Sequence, residues 1–187
     1  MDILCLEFVN SSWYITHKLF ADPLRDAEWL MKFADKWNIR SLQSPTEDQL
    51  VSLIEIRSQF AKLLRKTMVG NKLTKAEIGL VNNYMANTNF YRQLQDQKGS
   101  FELHDIPEVP NWSWFMAEVA ASFSRFYSSE VTNSLKMCQN PECGWFFIDE
   151  SKSRNRKWCD DTCATLMKVR RFRQKQKEDE RYSKTEK

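Results

Sequence analysis

A chain of 187 residues can form one domain of ordinary size with a small appendage, but it is too short for two large domains. Its 42% hydrophobic and 13% aromatic residues exclude wholesale disorder, and four glycines and five prolines are too few for a turn-rich β-sandwich or β-barrel. The net charge of +3 combines +8 over residues 151–177 with −4 over residues 1–150, which indicates a basic, partner-binding end on an acidic body.

The first ten residues, MDILCLEFVN, lack the basic start of a signal peptide and carry Asp2 and Glu7 within their apolar run. No segment approaches the roughly 18 uninterrupted apolar residues of a membrane helix. We therefore expect a cytoplasmic protein without a membrane partner, in which stable disulfides do not form. Residues 3–9 are apolar enough to be buried as a helix or as a strand, and we expect a helix.

Caps and apolar spacing predict three helices, over residues 22–37, 46–70 and 74–85. Asp22-Pro23 supplies an N-cap and a first-turn proline for the first of them. The other two begin with the capping-box patterns Thr46-x-x-Gln and Thr74-x-x-Glu.

Residues 90–106 alternate between apolar and polar around Lys98-Gly99, which predicts a short β-hairpin. Asn111 then caps a helix that ends near Tyr127 and carries a wide apolar stripe. We therefore take residues 1–134 as a mainly helical N-terminal domain. Its many tryptophans are expected to pack in the core, although a ligand pocket between helices is the alternative; they are Trp13, Trp29, Trp37, Trp112 and Trp114.

Residues 135–187 form the second predicted domain and contain four of the five cysteines. Cys138 and Cys143 form a Cys-x4-Cys pair, and after fifteen residues Cys159 and Cys163 form a Cys-x3-Cys pair. Two such pairs in a reduced chain are typical of a zinc site, because zinc takes four thiolates at tetrahedral corners. Reduced thiols that bind no metal are the alternative. Cys5 lies far away, and we expect it to be a buried apolar thiol.

The order of elements around the cysteines predicts a treble-clef-like finger. The first pair can form a knuckle, residues 145–148 a strand and residues 157–158 a return strand, while Asp160 and Asp161 can begin a helix. A site closed by four sulfurs leaves no position for a substrate, so the zinc should be structural. Leu166, Val169 and Phe172 are expected to face the finger from the helix, and the charged tail from Gln174 to continue that helix and then fray.

The residues around the cysteines carry a resemblance to a known family: Pro141, Phe147, Asp149, Ser151, Arg156, Trp158 and the run Lys168-Val169-Arg170-Arg171-Phe172-Arg173. Together with the cysteines they resemble the CGNR-type zinc finger of bacterial proteins. In that family the finger follows an N-terminal domain called ABATE, described as a "putative stress-induced transcription regulator", and residues 4–11 of this chain are similar to its start. The resemblance implies a transcription regulator with a structural zinc ion. The name-giving Gly-Asn-Arg is replaced here by Ala164-Thr165-Leu166.

The basic residues of this region are candidates for contacts with nucleic acid, because Lys and Arg neutralise phosphates and release counterions. We expect DNA more than RNA as the partner. A protein partner and a merely solvated surface are the alternatives that the sequence leaves open. The seven candidate residues are Arg154, Arg156, Lys157, Lys168, Arg170, Arg171 and Arg173.

Sequence patterns of catalysis are missing. The only histidines, His17 and His104, stand in no constellation, and the chain has no phosphate-binding glycine loop and no nucleophile elbow. We therefore expect a protein that is not an enzyme, either a nucleic-acid-binding regulator or a module for protein interaction or ligand sensing.

Overall fold

A computed structural model of the protein describes residues 3–17, 21–97 and 99–185. The chain divides into two compact units, Met1–Asn133 and Ser134–Lys187. The mainly helical architecture predicted for the N-terminal part is confirmed. Its helices are α1 (Leu4–Asn10), α2 (Ala27–Lys36), α3 (Glu47–Met68), α4 (Lys75–Ala86) and α5 (Trp112–Tyr127), and its strands are β1 (Phe90–Gln97) and β2 (Ser100–Pro107).

Helices α3 and α4 begin at the two predicted capping boxes. The Thr46 hydroxyl accepts a hydrogen bond from the Gln49 amide at 3.3 Å, and the Gln49 side chain accepts one from the Thr46 amide at 2.9 Å. Thr74 and Glu77 repeat this arrangement. Because each box satisfies amide groups that a helix start leaves free, both boundaries could be predicted from local sequence.

The helix predicted over residues 22–37 is wrong at its start. Asp22 caps only a single 3-10 turn, Pro23–Arg25. Asp26 then accepts hydrogen bonds from the amides of Glu28 and Trp29 at 3.0 and 3.2 Å, and α2 begins after it at Ala27. Two acceptor side chains four residues apart compete for the N-cap role, and the second one sets the helix boundary.

The core of the N-terminal unit lies between α1, α3 and α5. The rings of Phe8 and Phe115 meet edge to face at 5.4 Å, and those of Phe60 and Phe123 at 5.0 Å. Cys5 of α1 is fully buried, as predicted, and burial raises the pKa of its thiol to about 12. Trp112 and Trp114 are also buried, whereas the other three tryptophans of this unit are half-buried.

The β1–β2 hairpin is also confirmed. The strands pair antiparallel, with Leu94 opposite Leu103, and Gly99 lies in the turn between them with a φ of +94°. Lys98, which the prediction placed in that turn, lies outside the described residues. Over the described ranges, no helix has both the length and the apolar character that crossing a membrane requires.

An ion pair lies buried at the side of α3. The Arg57 guanidinium donates to both carboxylate oxygens of Asp22, at 2.7 Å for the longer bond, and the two side chains are only 6% and 14% exposed. Burial alone would raise the pKa of Asp22, but the hydrogen bonds and the charge of Arg57 lower it below its usual range.

This pair should make the N-terminal unit sensitive to acid. Because the pKa of Asp22 is lower in the folded than in the unfolded chain, its stabilisation is complete at neutral pH and is lost as the pH falls below about 5. We expect the melting temperature of Asp22→Asn, followed by circular dichroism, to decline less steeply with acid than that of the wild type. Glu47→Gln, which breaks only the exposed pair with Arg25, should keep the wild-type slope.

The C-terminal unit contains β3 (Leu135–Met137), β4 (Phe146–Ile148) and α6 (Asp161–Thr185), and a 3-10 turn, Glu130–Ser134, leads into it. The predicted hairpin between residues 145–148 and 157–158 is wrong, because β4 pairs with β3 instead. The turn between the first two cysteines reverses the chain, so the segments on either side of it become neighbours. In place of strand pairing with β4, the Lys157 carbonyl accepts a backbone hydrogen bond from the Gln139 amide at 2.9 Å. Helix α6 continues through Gln174 to Thr185, as the predicted continuation of the helix into the tail requires.

Candidate metal centre

The C-terminal unit brings four cysteines together. The sulfur atoms of Cys138, Cys143, Cys159 and Cys163 all lie within 4.8 Å of one another. Two of the separations are 3.6 Å, between Cys143 and Cys159, and 3.7 Å, between Cys159 and Cys163. These distances are far longer than a disulfide bond of about 2.05 Å. They match a tetrahedral zinc centre, in which sulfurs at about 2.3 Å from the ion lie about 3.8 Å apart.

Local backbone bonds place each cysteine pair. In the first pair, the Cys143 amide donates to the Asn140 carbonyl at 2.9 Å and the Cys138 amide to the Trp145 carbonyl at 2.8 Å. Gly144 allows this tight turn because its φ is +67°, a conformation that other residues rarely adopt. In the second pair, the Asp160 carboxylate accepts the Cys163 amide at 2.8 Å and so fixes the start of α6.

The electrostatics of the cluster favour a cation. Burial raises the pKa of the Cys143 thiol to about 12, and burial together with the neighbouring sulfurs raises the pKa of Cys159 further. Thiolates crowded this closely repel one another unless a positive ion compensates them, and a zinc ion stabilises the deprotonated form. The four-cysteine cluster is therefore consistent with a structural Zn²⁺ held in a closed site.

Asn140 supports the cysteine cluster through hydrogen bonds. Its buried side-chain amide donates to the Cys163 sulfur at 3.4 Å, while its carbonyl oxygen accepts from the Glu142 amide at 3.3 Å and from Arg170 at 3.4 Å. Arg170 also pairs with the Glu142 carboxylate. Asn140 thus links the first cysteine turn to the second cysteine pair, a role that its position in a turn did not reveal in the sequence.

Replacing Asn140 should weaken metal binding. Residues that orient metal ligands through hydrogen bonds are typically worth 10–100-fold in affinity, so we expect Asn140→Ala to lose about that much zinc affinity. Competition with a chromophoric chelator measures the change. Gln139→Ala is the matched control, since Gln139 is exposed and contributes its backbone amide, and it should bind zinc as the wild type does.

Asp149 organises the loop between β4 and the second cysteine pair. Its side chain is 0% exposed and accepts hydrogen bonds from Lys136 at 2.6 Å, from the Ser151 amide and hydroxyl at 3.1 and 2.6 Å, and from the Arg156 amide at 2.9 Å. The Lys136 and Ser151 bonds hold the pKa of this carboxyl well below its usual range. A signal for this role was present in the sequence, because an Asp two residues before a Ser is typical of a side-chain turn.

Two arginines of the module also stabilise its loops. Arg156 donates to the carbonyls of Trp158, at 2.8 Å, and of Cys159, and its guanidinium lies 5.3 Å from the Phe147 ring centre. Arg171 lies over the Trp158 ring at 5.9 Å. Such contacts between a cation and an aromatic ring are worth about 0.5–1 kcal/mol at exposed sites.

Helix α6 faces the module with a different set of residues from the one predicted. The residues of its first four turns that are less exposed are Cys163, Ala164, Met167 and Arg170, spaced to fall on one face. Leu166, Val169 and Phe172 are 40%, 39% and 63% exposed, so the prediction that they face the finger is wrong. The cysteine ligand position fixes the rotation of the helix, and this constraint overrides the apolar spacing.

The seven candidates for nucleic-acid contact fall into two groups. Arg156 and Arg170 make hydrogen bonds within the module, and Arg171 contacts a ring. The others are exposed and make no side-chain hydrogen bond or ion pair within the described part of the chain; they are Arg154, Lys157, Lys168 and Arg173. Their contact with nucleic acid stays a prediction.

Comparison with known families gives an independent result for this unit. A family model of the CGNR zinc finger matches residues 134–176, a range that includes all four clustered cysteines. The match extends across Ala164-Thr165-Leu166, where this chain departs from the name-giving Gly-Asn-Arg.

A second family model covers most of the remaining chain. The ABATE model, described as "Putative stress-induced transcription regulator", matches residues 2–129. A search of curated proteins finds no match. Because the ABATE match extends over more than half of the sequence and is followed by the finger, the chain belongs to the ABATE family and carries a CGNR zinc finger.

Proposed function

We propose that the protein binds duplex DNA through its zinc module and regulates transcription by this means, without acting as an enzyme. The observation that carries the proposal is a group of exposed cations on the module whose side chains have no hydrogen-bond or ion-pair partner among the described residues, within a segment of net charge +8. Lys168 and Arg173 lie on α6, and Arg154 and Lys157 on the loop before it. The membership of a transcription-regulator family supports DNA as the polyanion. The reduced thiols of the cluster support a cytoplasmic location.

The metal would contribute to this function indirectly. Held by Cys138, Cys143, Cys159 and Cys163, it would join the loop and the start of α6, so that cations from both segments sit on one rigid body. Fixed cations bind a polyanion better than mobile ones, because less side-chain and backbone freedom is lost on binding. The hydrogen bonds that Arg156 and Arg170 make within the module also help to hold the loop and α6 rigid.

A titration of the full chain with labelled DNA and RNA tests the proposal. If the four free cations and Arg171 each neutralise a phosphate, the logarithm of the association constant should fall with the logarithm of salt with a slope of about −4 to −5. Between about 50 and 200 mM salt this amounts to a loss of several hundredfold. We expect duplex DNA to bind more tightly than RNA. Binding that is absent, or that does not change with salt, would refute the proposal.

A second candidate function is ligand sensing by the N-terminal unit. A cavity of about 530 Å³ lies beside α5, and its lining includes Trp37, Glu118, Arg125 and Phe126. Burial raises the pKa of Glu118, whose partner is Arg125 at 3.6 Å. A mostly apolar cavity with a few ionisable groups is typical of small-molecule sites. A rise in melting temperature with a metabolite, lost in Glu118→Gln, would support this role.

A further inference from the structure

Helix α6 exposes a row of large apolar side chains. Leu166, Val169 and Phe172 follow one another every three residues and are 40%, 39% and 63% exposed. Burying such side chains removes apolar area from water and so stabilises a complex. The zinc module itself uses another side of the helix, where Cys163, Met167 and Arg170 are less exposed; Phe172 lies opposite that side and Leu166 lies at its edge.

Cations border this apolar row on both sides. At about 100° per residue, Lys168, Arg171 and Lys175 fall beside the Phe172 edge of the row, and Arg173 and Lys177 fall at about the angle of Leu166, its other edge, two and three turns further along the helix. Residues 162–177 contain no Asp or Glu. The exposed surface of α6 is therefore an apolar strip between two positive strips, and its partner must present apolar groups between two lines of negative charge.

The major groove of DNA has this arrangement. It is about 12 Å wide and accepts a helix, whose width with side chains is about 10–12 Å. Phosphates line both walls, and the floor carries base edges, among which the thymine C5-methyl group is the apolar one. A protein partner would need an apolar strip with acidic residues along both edges, whereas every duplex supplies the two lines of phosphates.

We infer that α6 is the recognition helix of the protein, and that Leu166, Val169 and Phe172 read thymine methyl groups on the floor of the major groove. This inference rests on the proposed binding of duplex DNA. Lys168, Arg171 and Arg173 then contact the phosphates of the two walls and give affinity, while the apolar row distinguishes sequences. The less exposed face, with Cys163 in the metal cluster, holds the helix in a fixed orientation for both tasks.

The test begins with selection of duplexes from a random library by the full, zinc-loaded chain. Affinity for the selected duplex and for a scrambled one is then measured by fluorescence anisotropy. Val169→Ala combined with Phe172→Ala should reduce the preference for the selected duplex by about tenfold and leave affinity for the scrambled duplex unchanged. Substituting deoxyuridine for thymine in the selected duplex, which removes only the methyl groups, should have a similar effect on the wild type.

A matched control is Val51→Ala, which truncates an exposed apolar side chain on α3 and should keep the full preference. If the chain binds duplexes but selects no thymine-containing site, or if the double variant keeps its preference, the inference is wrong while the proposed function stands. If the chain binds no duplex at all, both are wrong. Retention of the preference on the deoxyuridine duplex would likewise overturn the role of the methyl groups.

Discussion

Removing zinc from the full chain should unfold the C-terminal unit and leave the N-terminal unit folded. The metal-binding free energy of zinc-finger peptides is about 10–16 kcal/mol at neutral pH, which exceeds what a unit of this size can supply by packing. With a strong chelator, we expect the amide signals of residues 134–177 to lose their dispersion in nuclear magnetic resonance spectra. Those of α1, α3 and α5 should keep theirs.

The reason is the small core of the C-terminal unit. Among its described residues, the buried apolar side chains are those of Leu135, Phe146 and Phe147 together with Cys138. Much of the chain in this unit is α6, whose residues 165–178 are exposed apart from Met167 and Arg170. Domains with so little buried area generally need a metal or disulfides to fold, and the four sulfurs supply the metal site here.

Single substitutions give this prediction its controls. Cys→Ser at position 138, 143, 159 or 163 should abolish stoichiometric zinc and unfold the unit. Cys5→Ala removes the fifth thiol, which lies buried in the other unit, and should keep one zinc per chain. A chain that is purified without zinc, and whose C-terminal unit stays folded in chelator, would contradict the prediction.

Local signals explain why much of this fold could be predicted. The capping boxes at Thr46 and Thr74 involve residues only three positions apart. The two short cysteine spacings bring each pair of zinc ligands together within one turn of the chain, so neither signal depends on distant residues. The pairing partner of β4 and the rotation of α6 depend on the assembled site instead. Apolar spacing placed Leu166 and Phe172 toward the finger, but the metal cluster holds Cys163 there, and Phe172, nine residues on and about 180° around the helix, then faces outward.

Asn140 and Asp149 were missed as organising residues for a related reason. Asn and Asp are common in turns, so the residue types alone do not mark these positions. Their importance comes from burial and from distant partners: Asn140 bonds Cys163, and Asp149 bonds Lys136. Those partners meet only when the module has folded. A structure shows that such a polar residue is only 1–4% exposed and hydrogen-bonded, which marks it as an organising residue. Its position in the sequence indicates only that it lies in a turn.

Neutralising the free cations should abolish tight DNA binding without disturbing the fold. The triple variant Lys157→Gln, Lys168→Gln and Arg173→Gln removes three phosphate contacts, so we expect the salt slope to become less negative by about 3. At about 50 mM salt the affinity should fall by at least a hundredfold. Zinc content should stay at one per chain, because none of the three side chains makes a hydrogen bond to the metal cluster or its supporting residues.

Arg170→Gln is the informative counterpart, since it removes the same charge from the same helix. Arg170 bonds Asn140 and Glu142, so its loss should weaken zinc binding and lower the melting temperature of the module, which Lys168→Gln alone should not do. Both single variants should reduce the salt slope by at most about 1. If Lys168→Gln also lowered zinc affinity, the division of these cations into free and structural groups would be wrong. If the triple variant kept wild-type affinity and slope, the phosphate contacts would lie elsewhere on the protein.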